Sequence, residues 1–396
     1  MIHYFNPGHE TAVLYASKHY QPPANQVKMQ QELAFLPAWY ARSGDFVWME
    51  DDGKEKLNEI ESVFSSGTQA VSPKDLVDKR ADLFAQRVDL WGISPQSIEL
   101  FEKLNKAYDL HWQIPEWKPE YAALGNRFFA HGILSFLIST YPEIEEEILP
   151  QLFSNIDEIE HYLVLCQKQQ LVKSPYSSSG RGLVWLPPGK LSRSEKQIIS
   201  GMLKKQSCVS IENALDKQFD FSMHFENDDE RTVRFIGYSI FQTHTKGAYE
   251  KSFLSAQDEL EKRIATFIEV KLLNSIQKAF VEIIGEKYAP FYKGNIGVDM
   301  MIYQSGNRYR LHPCIEINMR KSMGYLAIRL QENYLHLSFR GELRVNYYSL
   351  VGEALKKHNE LKMQYPLTME EKRIRSGYLS LCPVTETTHY HAYLIG

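Results

Sequence analysis

The sequence predicts an α/β protein of more than one domain, and three observations carry that reading. The chain has 396 residues, enough for two or three domains. From the start to about Pro119, short apolar runs alternate with helix-period segments, the pattern of a small open α/β unit. Later, residues 295–303 (NIGVDMMIY) and 310–318 (RLHPCIEIN) follow the two-residue rhythm of strands, behind a long amphipathic helix signal at 258–287.

In chain order, residues 2–5 are a strand candidate broken by Asn6-Pro7-Gly8, with His9 and Glu10 at the break. A loop at the carboxyl edge of a first strand is where open α/β sheets bind ligands, so Asn6, His9 and Glu10 read either as substrate contacts or as a turn with a helix cap. Residues 27–40 place Met29, Leu33, Leu36 and Trp39 at helical spacing, with Pro37 ending or kinking the helix. Residues 46–49 and 71–73 read as strands, 91–95 as a break and 98–108 as a helix. Residues 124–139 read as a helix capped by Asn126. Arg127 then sits in a first turn whose positive end disfavours it unless an anion lies nearby; a solvated arginine is the alternative.

Residues 171–186 combine an apolar run ending at Lys173, a break at Pro175, the loop Ser177, Ser178, Ser179, Gly180, Arg181, Gly182, and a second apolar run. That is strand, flexible loop, strand: a hairpin lid. Its glycines admit positive φ and close backbone approach to an anion, its serines and N–H groups can ring phosphate oxygens, and Lys173 and Arg181 supply charge. A solvated serine-rich hairpin tip fits the same residues. A Walker loop does not, because GxxxxGK[ST] is absent and no helix follows.

Residues 194–204 read as a helix, 208–211 as a strand ending at Glu212, and Asn213-Ala214-Leu215 as a connector. Residues 219–225 and 231–242 read as strands, and 244–251, with Tyr249 and Lys251, as a polar loop. Across the turn Ser305-Gly306-Asn307, Asp299 on one strand and Glu316 and Asn318 on the other share a polar face. Two residues along a strand span about 6.5 Å, so Glu316 and Asn318 reach one small ion. Hard oxygen ligands of this kind suit Mg²⁺ carrying phosphates. A tight hairpin does not set Asp299 opposite Glu316, and a bulge at Pro313 would adjust the register.

Hydrophobic residues make up 43% of the chain, which disfavours global disorder. A formal charge of −4 argues against a broad nucleic-acid surface, though it leaves room for a local basic pocket. Cys166, Cys208, Cys314 and Cys382 lack CxxC spacing and read as reduced thiols of a cytoplasmic protein. The N-terminus has no signal-peptide pattern, and no apolar run is long enough to span a membrane.

The order of parts, a lysine before a Ser/Gly lid, then an E-x-A-L connector, then GVD, then EINMR, resembles the ATP-grasp superfamily over roughly residues 124–324. The resemblance implies an ATP-grasp fold behind an N-terminal open α/β domain (1–120), with a small lobe carrying the lid (121–207) and a large lobe carrying a metal site (208–396). By position it implies that Lys173 contacts phosphates and that residues 177–182 form the lid. Arg127 would stand where many members have a lysine. Glu212, Ala214 and Leu215 would form the adenine hinge, with Asp220 on the ribose. Asp299, Glu316 and Asn318 would hold Mg²⁺, with Mn²⁺ as an alternative, and Arg320 would steady the transferred phosphate. Gly297 departs from the pattern, since some amino-acid ligases have an arginine there. The implied activity is an ADP-forming ligase joining a small-molecule carboxylate to an amine or thiol through an acyl phosphate. The resemblance leaves room for a homodimer, and for a phosphotransferase or a non-catalytic nucleotide-binding module as alternatives.

Overall fold

The computed structural model describes residues 1–49, 63–64, 66–177, 182–228, 232–244 and 249–396. The N-terminal strands β1 (Ile2–Tyr4), β2 (Phe46–Trp48), β3 (Gln69–Val71) and β4 (Val88–Leu90) form a parallel sheet in the order β3-β2-β1-β4. Sequence reading missed β4, a three-residue run interrupted by Asp89, which only pairing with β1 makes a strand. Trp48, Phe101 and Trp112 pack edge to face beneath this sheet. The helix Pro95–Tyr108 starts at a capping box on Ser94 with proline in its first turn, which fixes where the chain leaves the sheet.

The helix expected over 27–40 is instead two pieces, the α-helix Ala24–Glu32 and a 3-10 turn, Leu36–Trp39, with Pro37 inside its first turn. Burial decides the break. Leu33, Phe35, Leu36 and Trp39 all enter a core shared with the C-terminal part of the chain, and the Trp39 indole donates to the Leu381 carbonyl at 2.8 Å. One straight helical face could not bury all four.

A second sheet contains β5 (Gln151–Phe153), β6 (Gln170–Lys173), β7 (Leu183–Leu186) and β8 (Val209–Asn213), in the order β5-β8-β6-β7. Strands β6 and β7 form the expected hairpin, with Lys173 opposite Leu183. Its base is closed by the Ser174 N–H on the Gly182 carbonyl, and Gly182 takes the positive φ (75°) that the turn requires. Ser178, Ser179, Gly180 and Arg181 lie outside the described residues. The helices Ile156–Leu165 and Arg193–Gln206 cover this sheet over Ile159, Leu163, Val172, Ile199 and Ile211.

The largest sheet is built from β9 (Asp216–Asn227), β10 (Val233–Thr243), β11 (Tyr249–Leu254), β12 (Gly294–Ser305), β13 (Arg308–Asn318) and β14 (Gly341–Tyr347). After a small hairpin of β15 (Thr368–Glu370) and β16 (Arg373–Ser376), β17 (Tyr378–Ser380) and β18 (Tyr390–Ile395) extend it to the order β13-β12-β9-β10-β11-β14-β18-β17. Phe221, Met223, Phe225, Ile296, Val298 and Met300 make one face apolar, against helices Arg127–Thr140, Gln257–Ala265 and Val270–Lys287. The single helix expected over 258–287 is therefore two. The break contains neither Gly nor Pro; it falls where Phe267 stacks on Phe219 and meets Tyr309 edge-on, a tertiary choice. Tyr249 and Lys251, expected in a polar loop, stand in β11, where Tyr249 donates to the Leu343 carbonyl and Lys251 pairs with Glu342. Among the described residues no helix is long and apolar enough to cross a membrane.

Candidate active site

The β12–β13 hairpin sets the site's geometry. Near its turn the strands pair as Met301 with His312; beyond Pro313 the register shifts and Asp299 pairs directly with Glu316, and Gly297 with Asn318. The bulge inserts extra residues on β13 only, and so brings two acids face to face that a regular hairpin would stagger. Cys314, inside the bulge, turns into the core, and its thiol donates to the Ala130 carbonyl at 3.7 Å.

The Asn318 amide nitrogen lies 3.0 Å from Asp299 Oδ2 and 3.5 Å from Glu316 Oε1, so the three side chains meet. Burial and the neighbouring Glu316 push the Asp299 carboxyl well above the ordinary carboxylate range. Burial acts the same way on Glu316, but Arg127 outweighs it and holds Glu316 below that range. The two shifts run in opposite directions, the response of two like charges held close together in a dry site.

Arg127 reaches this pair from the other side. Asn126 caps its helix by accepting from the Phe128 N–H, as expected. The buried guanidinium donates to Glu316 Oε2 at 2.6 Å, to the Ser174 carbonyl at 2.6 Å and to Ser177 Oγ at 3.3 Å, while its Nε has no partner among the described residues. The anion that would reconcile an arginine with a helix N-terminus is therefore Glu316. Through Ser174 and Ser177 the same side chain fastens the lid hairpin to the large sheet. Lys173 forms an ion pair with Glu212, which pairs across the strands with Leu171. In the connector, the Ala214 N–H donates to the Gln169 carbonyl and the Leu215 carbonyl accepts from Lys217, so those backbone groups are already engaged. Asp220, on β9 opposite Met301, is held by Lys217 at 2.6 Å and by Thr243 at 3.3 Å.

Arg320 bonds to Glu10 of the N-terminal unit. Burial would raise the Glu10 carboxyl, but Arg320 and His9 hold it far below the usual range. His9 and Glu10 line an open cleft with Tyr121, Tyr176, Tyr292 and Asn318. Asn6 does not join them. Its side chain donates to the Gly92 carbonyl and accepts from the Gly92 N–H, tying the ends of β1 and β4 together. Next to Arg320, Lys321 bonds to Asp89, Asp89 to His3, and His3 to Asp45, a buried charged chain under the first sheet.

The structure accounts for Gly297. His224, opposite it on β9, lies so close that a Cβ at 297 would come within 3.0 Å of the ring. Gly324 leaves room for the same imidazole. The space beside Gly297 is therefore filled by a buried histidine from the neighbouring strand. Sequence reading missed His224, as it missed His131 and His312 beside Lys173. For His131 a signal existed, because it stands four residues after Arg127 and so on the same helical face.

No family model matches the sequence, and no curated protein is similar to it in sequence. Solved structures are similar in shape. Biotin carboxylase from Campylobacter jejuni, a β,γ-ATP complex, has a TM-score of 0.54 at 8% identity, over 100% of this chain and 86% of that one. The biotin carboxylase domain of Hydrogenobacter thermophilus 2-oxoglutarate carboxylase has a TM-score of 0.51 at 12% identity, over 100% of this chain and 85% of that one. The chain has the ATP-grasp fold. Within that fold, Arg127 bridges the second and third sheets at the base of the β6–β7 hairpin.

Proposed function

We propose that this ATP-grasp protein is an ATP- and Mg²⁺-dependent, ADP-forming ligase that joins a small-molecule carboxylate to an amine or thiol through an acyl phosphate. The observation that carries this reading is the convergence of Arg127, Lys173 and Arg320 on Asp299, Glu316 and Asn318, with each cation held by a carboxylate: Glu316, Glu212 and Glu10. A polyphosphate would take over the positive charge those carboxylates now hold. The Campylobacter neighbour is an ATP complex and the Hydrogenobacter neighbour a dimer with MgADP and bicarbonate, which supports the same reading.

The residues present fit a magnesium ion. Among the described residues no three His, Cys, Asp or Glu cluster as a metal cage. The donors are instead two acids and an amide, leaving positions for phosphate oxygens and water, as Mg²⁺ prefers. The close approach of Asp299 and Glu316, which pushes the Asp299 carboxyl upward, marks a place where a dication would relieve repulsion. Asn318 would turn its amide so that the oxygen replaces the nitrogen now facing the acids. When bound, the ion would neutralise charge on the transferring phosphoryl group. Lys173 and Arg320 would offset the remaining charge, Arg127 would hold Glu316 and the lid base, and the lid would keep water from the acyl phosphate. Residues 177–182 would serve as that lid, Glu212, Ala214 and Leu215 as the adenine hinge, and Asp220 as the ribose ligand. The cleft at His9 and Glu10 opens beside Asn318 and would admit the second substrate.

The test is ADP release with Mg-ATP, screened over amino acids, peptides and small carboxylates, with Glu316→Gln as control. Acceptor-dependent ADP and phosphate with a new amide or thioester is the expected outcome. A stable phosphorylated product would instead identify a phosphotransferase, and nucleotide binding with no ADP release under any substrate would overturn catalysis.

A further inference from the structure

Two buried histidines near Lys173, His131 and His312, have a ring nitrogen that the described residues leave without a hydrogen-bond partner. His131 lies one helical turn beyond Arg127, and His312 lies on β13 opposite Met301, on the turn side of the bulge. Their exposures are 6% and 3%. Each has a buried Nδ1 with no hydrogen-bond partner among the described residues. Burial first, and then the charge of Lys173, push both imidazoles down to about 3, with Arg127 adding to the effect on His131 and His131 to that on His312. Both rings are thus neutral at any physiological pH.

Their position gives them a ligand. The row Asp220–Met301–His312 runs parallel to the row Asp299–Glu316, displaced by two residues along β12, or about 6.8 Å. It lies on the Asp220 side of those carboxylates, which the ribose role proposed above for Asp220 makes the nucleoside side, and the charge of Lys173 acts on both rings. Resting on the ligase reading above, we propose that His131 and His312 form an uncharged nucleotide subsite, each donating through Nδ1–H to the phosphate of a nucleoside diphosphate nearest the ribose. Neutral donors add hydrogen bonds there without adding to the positive charge of Arg127, Lys173 and Arg320. Without nucleotide the two nitrogens stay unsatisfied, a cost that a purely structural site would have lost by substitution to an apolar residue.

The experiment is calorimetric titration of the full chain with Mg-ADP, together with melting in its absence. His131→Leu and His312→Leu should each weaken Mg-ADP binding about tenfold, the fold-change of one hydrogen bond to a charged group. His131→Asn and His312→Asn, whose amides carry a polar atom near the Nδ1 position, should lose less than about threefold. Without nucleotide the Leu variants should melt no lower than wild type. Unchanged Mg-ADP affinity in the Leu variants would overturn the subsite, as would equal losses in the Asn and Leu variants, which would mean packing. A wild-type protein that does not bind Mg-ADP would instead sink the nucleotide-dependent reading on which the subsite rests.

Discussion

Replacing Asp299 with Asn should make the metal-free protein more stable while destroying its affinity for magnesium nucleotide. One amide nitrogen of Asn318 touches both carboxylates, 3.0 Å from Asp299 and 3.5 Å from Glu316, so the acids are near neighbours. Two unit charges about 4 Å apart at an effective dielectric constant of about 20 repel by about 4 kcal/mol. Burial and the Glu316 charge oppose ionisation of Asp299 and push its carboxyl upward, so the site is destabilised wherever both acids ionise. Asn presents the same shape without charge or proton, so a gain of about 1–3 kcal/mol is expected after relaxation. Because the folded Asp299 value is raised, its stabilising contribution is complete below the unfolded value of about 4 and is lost as pH rises through the folded value. The gain from Asp299→Asn should therefore grow as pH rises. Differential scanning fluorimetry in EDTA at several pH values reads it, with an increase of about 1–4 °C at pH 7. Mg-ADP should then raise the melting temperature of wild type but not of the variant. A variant that melts below wild type in EDTA, or keeps the full Mg-ADP shift, would refute the reasoning.

Lys173→Ala should weaken Mg-ADP binding about tenfold or more, measured calorimetrically, because it removes a charge aimed at the phosphates and leaves Glu212 facing them; an unchanged dissociation constant would remove Lys173 from the site. Gly297→Arg should yield little folded protein, and His224→Ala in the same chain should restore part of the soluble yield, because the imbalance is steric and local. His3→Asn should flatten the alkaline side of the stability profile. Burial lowers the His3 pKa, but bonds to Asp45 and Asp89 outweigh it and raise the value, so its contribution is complete below about 6.5 and fades as pH rises through the folded value. Asp45, brought down to about 2 against burial chiefly by His3, and Asp89, held low by Lys321 and His3, act oppositely, contributing above about 4 and losing that as acid protonates them. Chemical denaturation across pH checks both sides.

The hairpin of β6 and β7, the cap at Asn126 and the acids of β12 and β13 were legible in the sequence because each rests on local rules: two-residue alternation, a capping side chain, a glycine where φ turns positive. The strand β4, the breaks at 33–35 and 266–269 and the strand identity of Tyr249 were not. Each depends on a partner far away in the chain: β1 for Asp89, Leu381 for Trp39, Phe219 for Phe267, β14 for Lys251.

The sequence by itself determined the chemistry of the parts: oxygen-bearing side chains at 299, 316 and 318, cations at 127, 173 and 320, and a Ser/Gly-rich segment after Lys173. Only the tertiary structure decided their partners, with Glu316 for Arg127, Glu212 for Lys173 and Glu10 for Arg320. Residue type and period are local properties that a single chain displays directly. The pairing of buried charges is a matter of long-range geometry, fixed here by a bulge at Pro313 and by which side chains the folded sheets bring within hydrogen-bonding reach.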